Sequence, residues 1–152
     1  MVDSKVVEVS VSALDPHLPL PGYSIAGDAG MDLYAREDAM IKPGGARTVI
    51  PTGISLAIPA GYAGFVLPRS GLAADHGITC LNAPGLIDSG YRGEVKVVLI
   101  NTDPDSEYMV NRGDRIAQLV IMAVEQAVLV QTATHRMPLS ARNDGGFGHT
   151  GR

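Results

Sequence analysis

The sequence predicts an all-β fold, a barrel or jelly roll built from many short strands. Three observations predict it. Eighteen glycines and ten prolines punctuate the 152 residues, too densely for long helices. Between them, apolar residues recur at the period of a strand. Only one segment carries the composition and stop signals of a helix.

In chain order, Val6 to Val11 alternates around Glu8 and Ser10 and reads as a strand. Pro16 to Gly22 holds three prolines, which excludes regular structure. Lys42-Pro43-Gly44-Gly45 is a turn. Thr48 to Ile58 is a strand with Ile54, Leu56 and Ile58 at period two, and Pro59-Ala60-Gly61 ends it. Tyr62–Leu67 is the next strand, closed by Pro68. The helix spans Ser70 to His76, with Ser70 as N-cap, Leu72-Ala73-Ala74 as helix formers and Gly77 as the stop. In the strand from Val95, the residues Val95, Val97 and Leu99 point one way. Val98 and Ile100 point the other way and are also apolar, so the strand is expected to be covered on both faces. Asn101 to Ser106 is a polar turn. Strands at Ile116–Val124 and Ala127–Thr132 close the set. The chain reads as one domain, with a barrel over residues 1–136 and a glycine-rich C-terminal arm over 137–152. That arm has little to bury and is expected to be flexible until something orders it.

Composition excludes several function classes. A net charge of −4 argues against a nucleic-acid binder with a basic face. The most apolar stretch, Ile116 to Val130, is broken by Gln118, Glu125 and Gln126 and is too short to span a membrane. The N-terminal residues include Asp3, Lys5 and Glu8 and no apolar signal core. A lone cysteine, Cys80, excludes an intrachain disulfide and a cysteine metal cluster, and reads as a small buried residue. A cytoplasmic location is the expectation.

Five segments carry candidate chemistry. Gly85 to Lys96 puts Asp88 on a glycine-bounded turn with Tyr91 three residues later. A carboxylate fixed there suits a general base, and the ring suits a flat sugar or base; an ordinary hairpin turn has the same spacing. Arg69-Ser70-Gly71 follows a strand and opens the helix, a place where anions bind, or simply a capped helix with a surface arginine. Gly27 to Asp32 sets Asp28 and Asp32 four apart, oxygens that suit Mg²⁺ or a solvated turn. In Arg112-Gly113-Asp114-Arg115, Asp114 reads as the partner of an arginine in a structural ion pair. Gln118 sits within an apolar strand, so it is satisfied internally or reaches a ligand. Arg142 to Gly151 combines glycines, which let a backbone approach phosphates, with Phe147, which could stack on a nucleobase or be incidental to a disordered tail. It is no Walker loop, since no Lys-Ser/Thr follows. His17, His76, His135 and His149 show no metal-ligand spacing.

Taken in order, these segments resemble the five motifs of the homotrimeric deoxyuridine triphosphatases (dUTPases). The matching residues are Ala26 to Leu33; Pro68 to Gly71; Asn82 with Gly85–Lys96; Arg112 to Gln118; and Arg142 with Gly145 to Gly148. The resemblance implies a distorted jelly-roll β-barrel and a homotrimer with sites at subunit interfaces. It implies hydrolysis of dUTP to dUMP and pyrophosphate with Mg²⁺, which removes dUTP from the nucleotide pool and supplies dUMP for dTMP synthesis. Asp88 would deprotonate the attacking water. Tyr91 would pack beneath the deoxyribose and leave no room for a ribose 2′-hydroxyl. Asn82 and the backbone of Gly85, Leu86 and Ile87 would form the uracil pocket, with Lys96 nearby. Arg69, Ser70 and Gly71 would hold phosphates, Gln118 the α-phosphate region, and Asp32 would touch Mg²⁺ through water. Phe147 would stack on uracil, while Arg142, Gly148 and Thr150 would clamp the γ-phosphate.

Two residues depart from the family pattern. His149 stands where a serine is usual, which implies altered phosphate binding or pH dependence rather than lost activity. Met31 replaces a residue often aromatic or β-branched, a packing variation. Two rival readings differ in class. A dCTP deaminase shares the fold but uses a glutamate on the central strand and Ser-Ser after the arginine, where this chain has Ser70-Gly71. A binding module would hold dUTP unchanged.

Overall fold

A computed structural model describes residues 6–140. Among these, the strands are β1 (Ser10–Ala13), β2 (Met31–Tyr34), β3 (Ala39–Ile41), β4 (Arg47–Ala57), β5 (Tyr62–Leu67), β6 (Ile78–Cys80), β7 (Gly85–Ile87), β8 (Glu94–Asn101), β9 (Tyr108–Val110) and β10 (Arg115–Ala123). Helix α1 is Ser70–His76, and a 3-10 turn spans Thr134–Arg136. One sheet runs β1-β4-β8-β6, a second β2-β10-β5-β7, and β3-β9 forms a ribbon; every pairing is antiparallel. The predicted all-β jelly roll with one short helix is the fold.

The two sheets share one core. Leu33 of β2, Ile50 of β4, Val97 and Leu99 of β8, and Ile116 and Leu119 of β10 are all buried in a single cluster. Inward positions of β8 alternate as expected, with Val95, Val97 and Leu99 buried. The opposite face is only half covered within one chain: Val98 and Ile100 are half-buried and Lys96 is exposed. Cys80 is buried, and burial pushes its thiol up to about 11. Buried Asn101 donates to the carbonyls of Ile41 and Ser106 and accepts from the N–H of Asp103, so its burial leaves no polar atom unpaired.

Three expectations about elements need correction. The first strand begins at Ser10 rather than Val6, because its partner β4 ends at Ala57 and Pro59 lies just beyond. Among the described residues Ala127–Thr132 pairs with no strand; Val128, Leu129 and Val130 stand exposed. The helix N-cap is Arg69, with extended backbone, so Ser70 is the first helical residue. Gly77 does stop the helix, with φ 64° and its N–H turned back to Ala73 and Leu72.

Candidate active site

The turn after β7 carries Asp88 and Tyr91. Pairing of Ile87 with Gly64 and of Gly85 with Val66 fixes β7 against β5. The chain then turns, with the Tyr91 N–H donating to the Asp88 carbonyl at 3.0 Å. Arg92 clasps the turn from outside, donating to the carbonyls of Ser89 (2.6 Å) and Tyr91 (2.7 Å). The Tyr91 hydroxyl donates to the Glu94 carbonyl at 3.0 Å, laying the ring across Gly93. A side chain at Gly93 would collide with that ring. Leu86, Ile87, Asp88, Tyr91, Glu94, Val95 and Lys96 enclose a cleft of about 200 Å³. Asp88 and Lys96 are exposed on it, and so is much of Leu86. Asn82 lies beside this strand: a Cβ on buried Gly85 would come within 3.4 Å of its Nδ2 and 3.2 Å of Val66.

A second cluster forms where β2, β10 and the end of β5 meet. Asp32 pairs across the ladder with Gln118, and Gln118 pairs on its other side with Leu67. A bulge between Arg115 and Ala117 turns Ile116 and Ala117 both into the core. Arg115 and Gln118 are thereby left more accessible. The Asp32 carboxylate is nearly buried and faces two guanidinium groups, Arg69 Nε at 3.2 Å from Oδ1 and Arg115 Nη1 at 3.4 Å from Oδ2. The first contact is close but misaligned, so neither Asp32 Oδ1 nor Arg69 Nε makes a hydrogen bond. Arg69 is also tied to the Arg115 carbonyl through Nη1 at 3.2 Å. Ser70 and Gly71 are exposed at the start of α1.

These partners correct the reading of Asp114 as one half of an ion pair. Its carboxylate accepts the N–H of Asn111 at 2.8 Å and closes a turn. Arg112 goes instead to Asp15, at 2.6 and 3.2 Å, and Arg115 to Asp32. Asp28 likewise closes its own turn through the Ile25 N–H. No group of three His, Cys, Asp or Glu side chains is placed to hold a metal among the described residues. Asp32 offers one carboxylate, with a lone pair on Oδ1 that accepts no hydrogen bond. That oxygen is buried and faces Arg69 Nε while Oδ2 faces Arg115, so Asp32 is engaged by arginines here and does not fit a water-mediated contact to Mg²⁺.

Within one chain the two clusters are separated. Arg69 lies three residues beyond Val66, and Asp88 lies three beyond Gly85, the partner of Val66 on an antiparallel strand. They diverge in opposite directions, a separation of about 20 Å at roughly 3.3 Å per residue. Arg142, Phe147, Gly148 and Thr150 lie outside the described residues. Sequence reasoning missed Arg36, Glu94, Arg92 and the Asp32 partnership of Arg115. Only Glu94 and Arg92 had a local signal, their place within the Tyr91 turn.

The sequence model of the dUTPase family matches residues 17–151. The deoxyuridine 5′-triphosphate nucleotidohydrolase of Thermobifida fusca is 55% identical over 145 residues, 95% of this chain and 79% of that protein. Among solved structures, the dUTPase of Staphylococcus bacteriophage 80alpha with dUPNHPP superposes with a TM-score of 0.87 at 26% identity, covering 95% of this chain and 99% of that one. A mutant dUTPase of phage phi11 of S. aureus, described as coordinating a structural Mg(II) ion, gives 0.78 at 25% identity, over 86% and 99% of the two chains.

Proposed function

This chain belongs to the dUTPase family, and from that premise we infer that it hydrolyses dUTP to dUMP and pyrophosphate. The observation that carries the reading is the cleft in which Asp88 and Tyr91 share one clasped turn. A water attacks the α-phosphorus, and Asp88 takes its proton. The bond from the α-phosphorus to the oxygen bridging to the β-phosphorus breaks, and pyrophosphate leaves with the electron pair. Arg69, Ser70, Gly71 and Gln118 hold the phosphates, where fixed donors are worth more than water. Mg²⁺ carried in on the triphosphate would supply further neutralisation of phosphate charge. Tyr91 lies under the sugar, and Asn82 with Gly85, Leu86 and Ile87 walls the base, with Lys96 at the rim. Arg142, Phe147, Gly148 and Thr150 close over the substrate and exclude water. The product supplies dUMP for dTMP synthesis while the cell is cleared of dUTP. No helix among the described residues is long and apolar enough to cross a membrane, and we place the enzyme in the cytoplasm.

The separation of Asp88 from Arg69 supports sites built between subunits of a homotrimer, because the two groups must converge on one triphosphate. The uncovered Val128, Leu129 and Val130 and the half-covered outer face of β8 agree with burial against further copies. A panel of dUTP, dCTP, UTP and dTTP with Mg²⁺, read for pyrophosphate and ammonia, tests the function. Pyrophosphate from dUTP alone is expected. Ammonia from dCTP would make the chain a deaminase, and dUTP bound but unchanged would make it a binding module.

A further inference from the structure

The bulge in β4 leaves backbone groups that the ladder does not pair, and their partners point to a positioning device. Pairing of β4 with β8 runs from Arg47↔Ile100 to Pro51↔Lys96, then shifts and resumes at Ser55↔Glu94. Gly53 sits in the gap with φ 74°. A Cβ there would meet Asp15 at 3.0 Å, Leu18 at 3.4 Å and Arg36 at 3.6 Å, so glycine is required for both space and backbone. The Gly53 carbonyl accepts from Leu14 and Asp15, and Thr52 Oγ1 donates to the Val95 carbonyl at 2.7 Å. The Gly53 N–H donates to Glu94 Oε1 at 2.9 Å. The same oxygen accepts from Arg36 Nη1 at 3.2 Å. Arg36 is itself fixed by its N–H on the Pro51 carbonyl at 2.9 Å, and it adjoins Asp15, which Arg112 holds from the other side. Charges therefore alternate along Arg112, Asp15, Arg36 and Glu94.

Glu94 is also the residue whose carbonyl receives the Tyr91 hydroxyl. Its side chain is moored to the bulge and its backbone holds the ring. We propose that Glu94, moored by Arg36 and the Gly53 N–H, is a positioning residue that fixes the Tyr91 ring and thereby sets discrimination between deoxyribose and ribose nucleotides. The inference rests on the reading of Tyr91 as the surface beneath the sugar. A ring held at both ends excludes a 2′-hydroxyl by clash, whereas a ring free to tilt admits it.

The test measures kcat and KM for dUTP and UTP in the full-length protein with Mg²⁺, for the wild type, Glu94→Ala, Glu94→Gln, Arg36→Leu and Arg36→Lys. Glu94→Ala is expected to lower the dUTP-to-UTP ratio of kcat/KM about tenfold or more, mainly through a lower KM for UTP. Glu94→Gln keeps an acceptor for Gly53 and is expected to lose less. Arg36→Leu should fall between them, and Arg36→Lys should restore most of the ratio. A merely structural role would depress kcat for both nucleotides together and leave the ratio alone. Should Glu94→Ala fail to fold, Arg36→Leu carries the same test, because that side chain is 39% exposed. A wild type active on dUTP, with the ratio unchanged in the folded variants, overturns this inference alone. A wild type inactive on dUTP overturns the functional reading as well.

Discussion

Asp88 needs its turn more than it needs neighbours. It is exposed, and its backbone carbonyl anchors the Tyr91 N–H. Asp88→Asn preserves the shape and removes the proposed base. Hydrolysis is expected to fall by about 10²–10⁴ with dUTP binding retained, checked by pyrophosphate release and titration calorimetry; normal turnover would remove Asp88 from its role. Gly93 offers a complementary test, because the Tyr91 ring lies across it. Gly93→Ala should displace the ring, raise KM for dUTP and weaken sugar selectivity while leaving thermal stability within a few degrees. The turn that carries Asp88 and Tyr91 was legible in sequence because its geometry is local, set by residues within it. Arg36 was not, since its partner Glu94 is 58 positions away. Asp114 misled for a related reason: adjacent arginines suggested a pair, but a short carboxylate closes its own turn more easily than it reaches a neighbouring guanidinium.

Elements show the same division between local and distant causes. The strands β4, β5, β8 and β10 are long enough to display period two, and their sequence positions were readable. β3, β6, β7 and β9 have three residues each, too few to show a period, and they exist because longer strands offer them an edge. The Ala127–Thr132 segment has strand-like composition and no strand partner among the described residues, so pattern alone misassigned it. Packing along β8 makes a quantitative prediction. Leu99 is 1% exposed between the two sheets, and Leu99→Ala should cost about 2–5 kcal/mol in denaturant unfolding. A loss well under one kcal/mol would mean that the core is looser than its burial indicates. The loop before β2 is held by charge instead. The hydrogen bond from Arg112, joined by the His17 N–H, lowers the Asp15 carboxyl below its ordinary value. A depressed folded value stabilises above the unfolded value of about 4 and is lost as pH falls through the folded one. Asp15→Asn should therefore melt lower than the wild type near neutral pH, with the gap closing under acid. A gap that persists at pH about 2 would show that Asp15 acts through packing rather than charge.

For the whole molecule, the decisive feature is the antiparallel register of β5 and β7. It sends Arg69 and Asp88 away from each other, although the proposed reaction needs both at one triphosphate. No single-chain reading of the motifs discloses this, because motif order along the sequence says nothing of which copy supplies which group. We infer that each dUTP site takes Asp88 from one subunit and Arg69 from another. The most direct test mixes two inactive variants, Asp88→Asn and Arg69→Ala, unfolds them together and refolds them at equal amounts. If the sites lie between subunits, random assembly restores both wild-type groups to about a quarter of them, and pyrophosphate release returns to about a quarter of the wild-type rate. If Asp88 and Arg69 act within one chain, every site keeps one defect, and a mixture no more active than its two components would rule out sites shared between subunits.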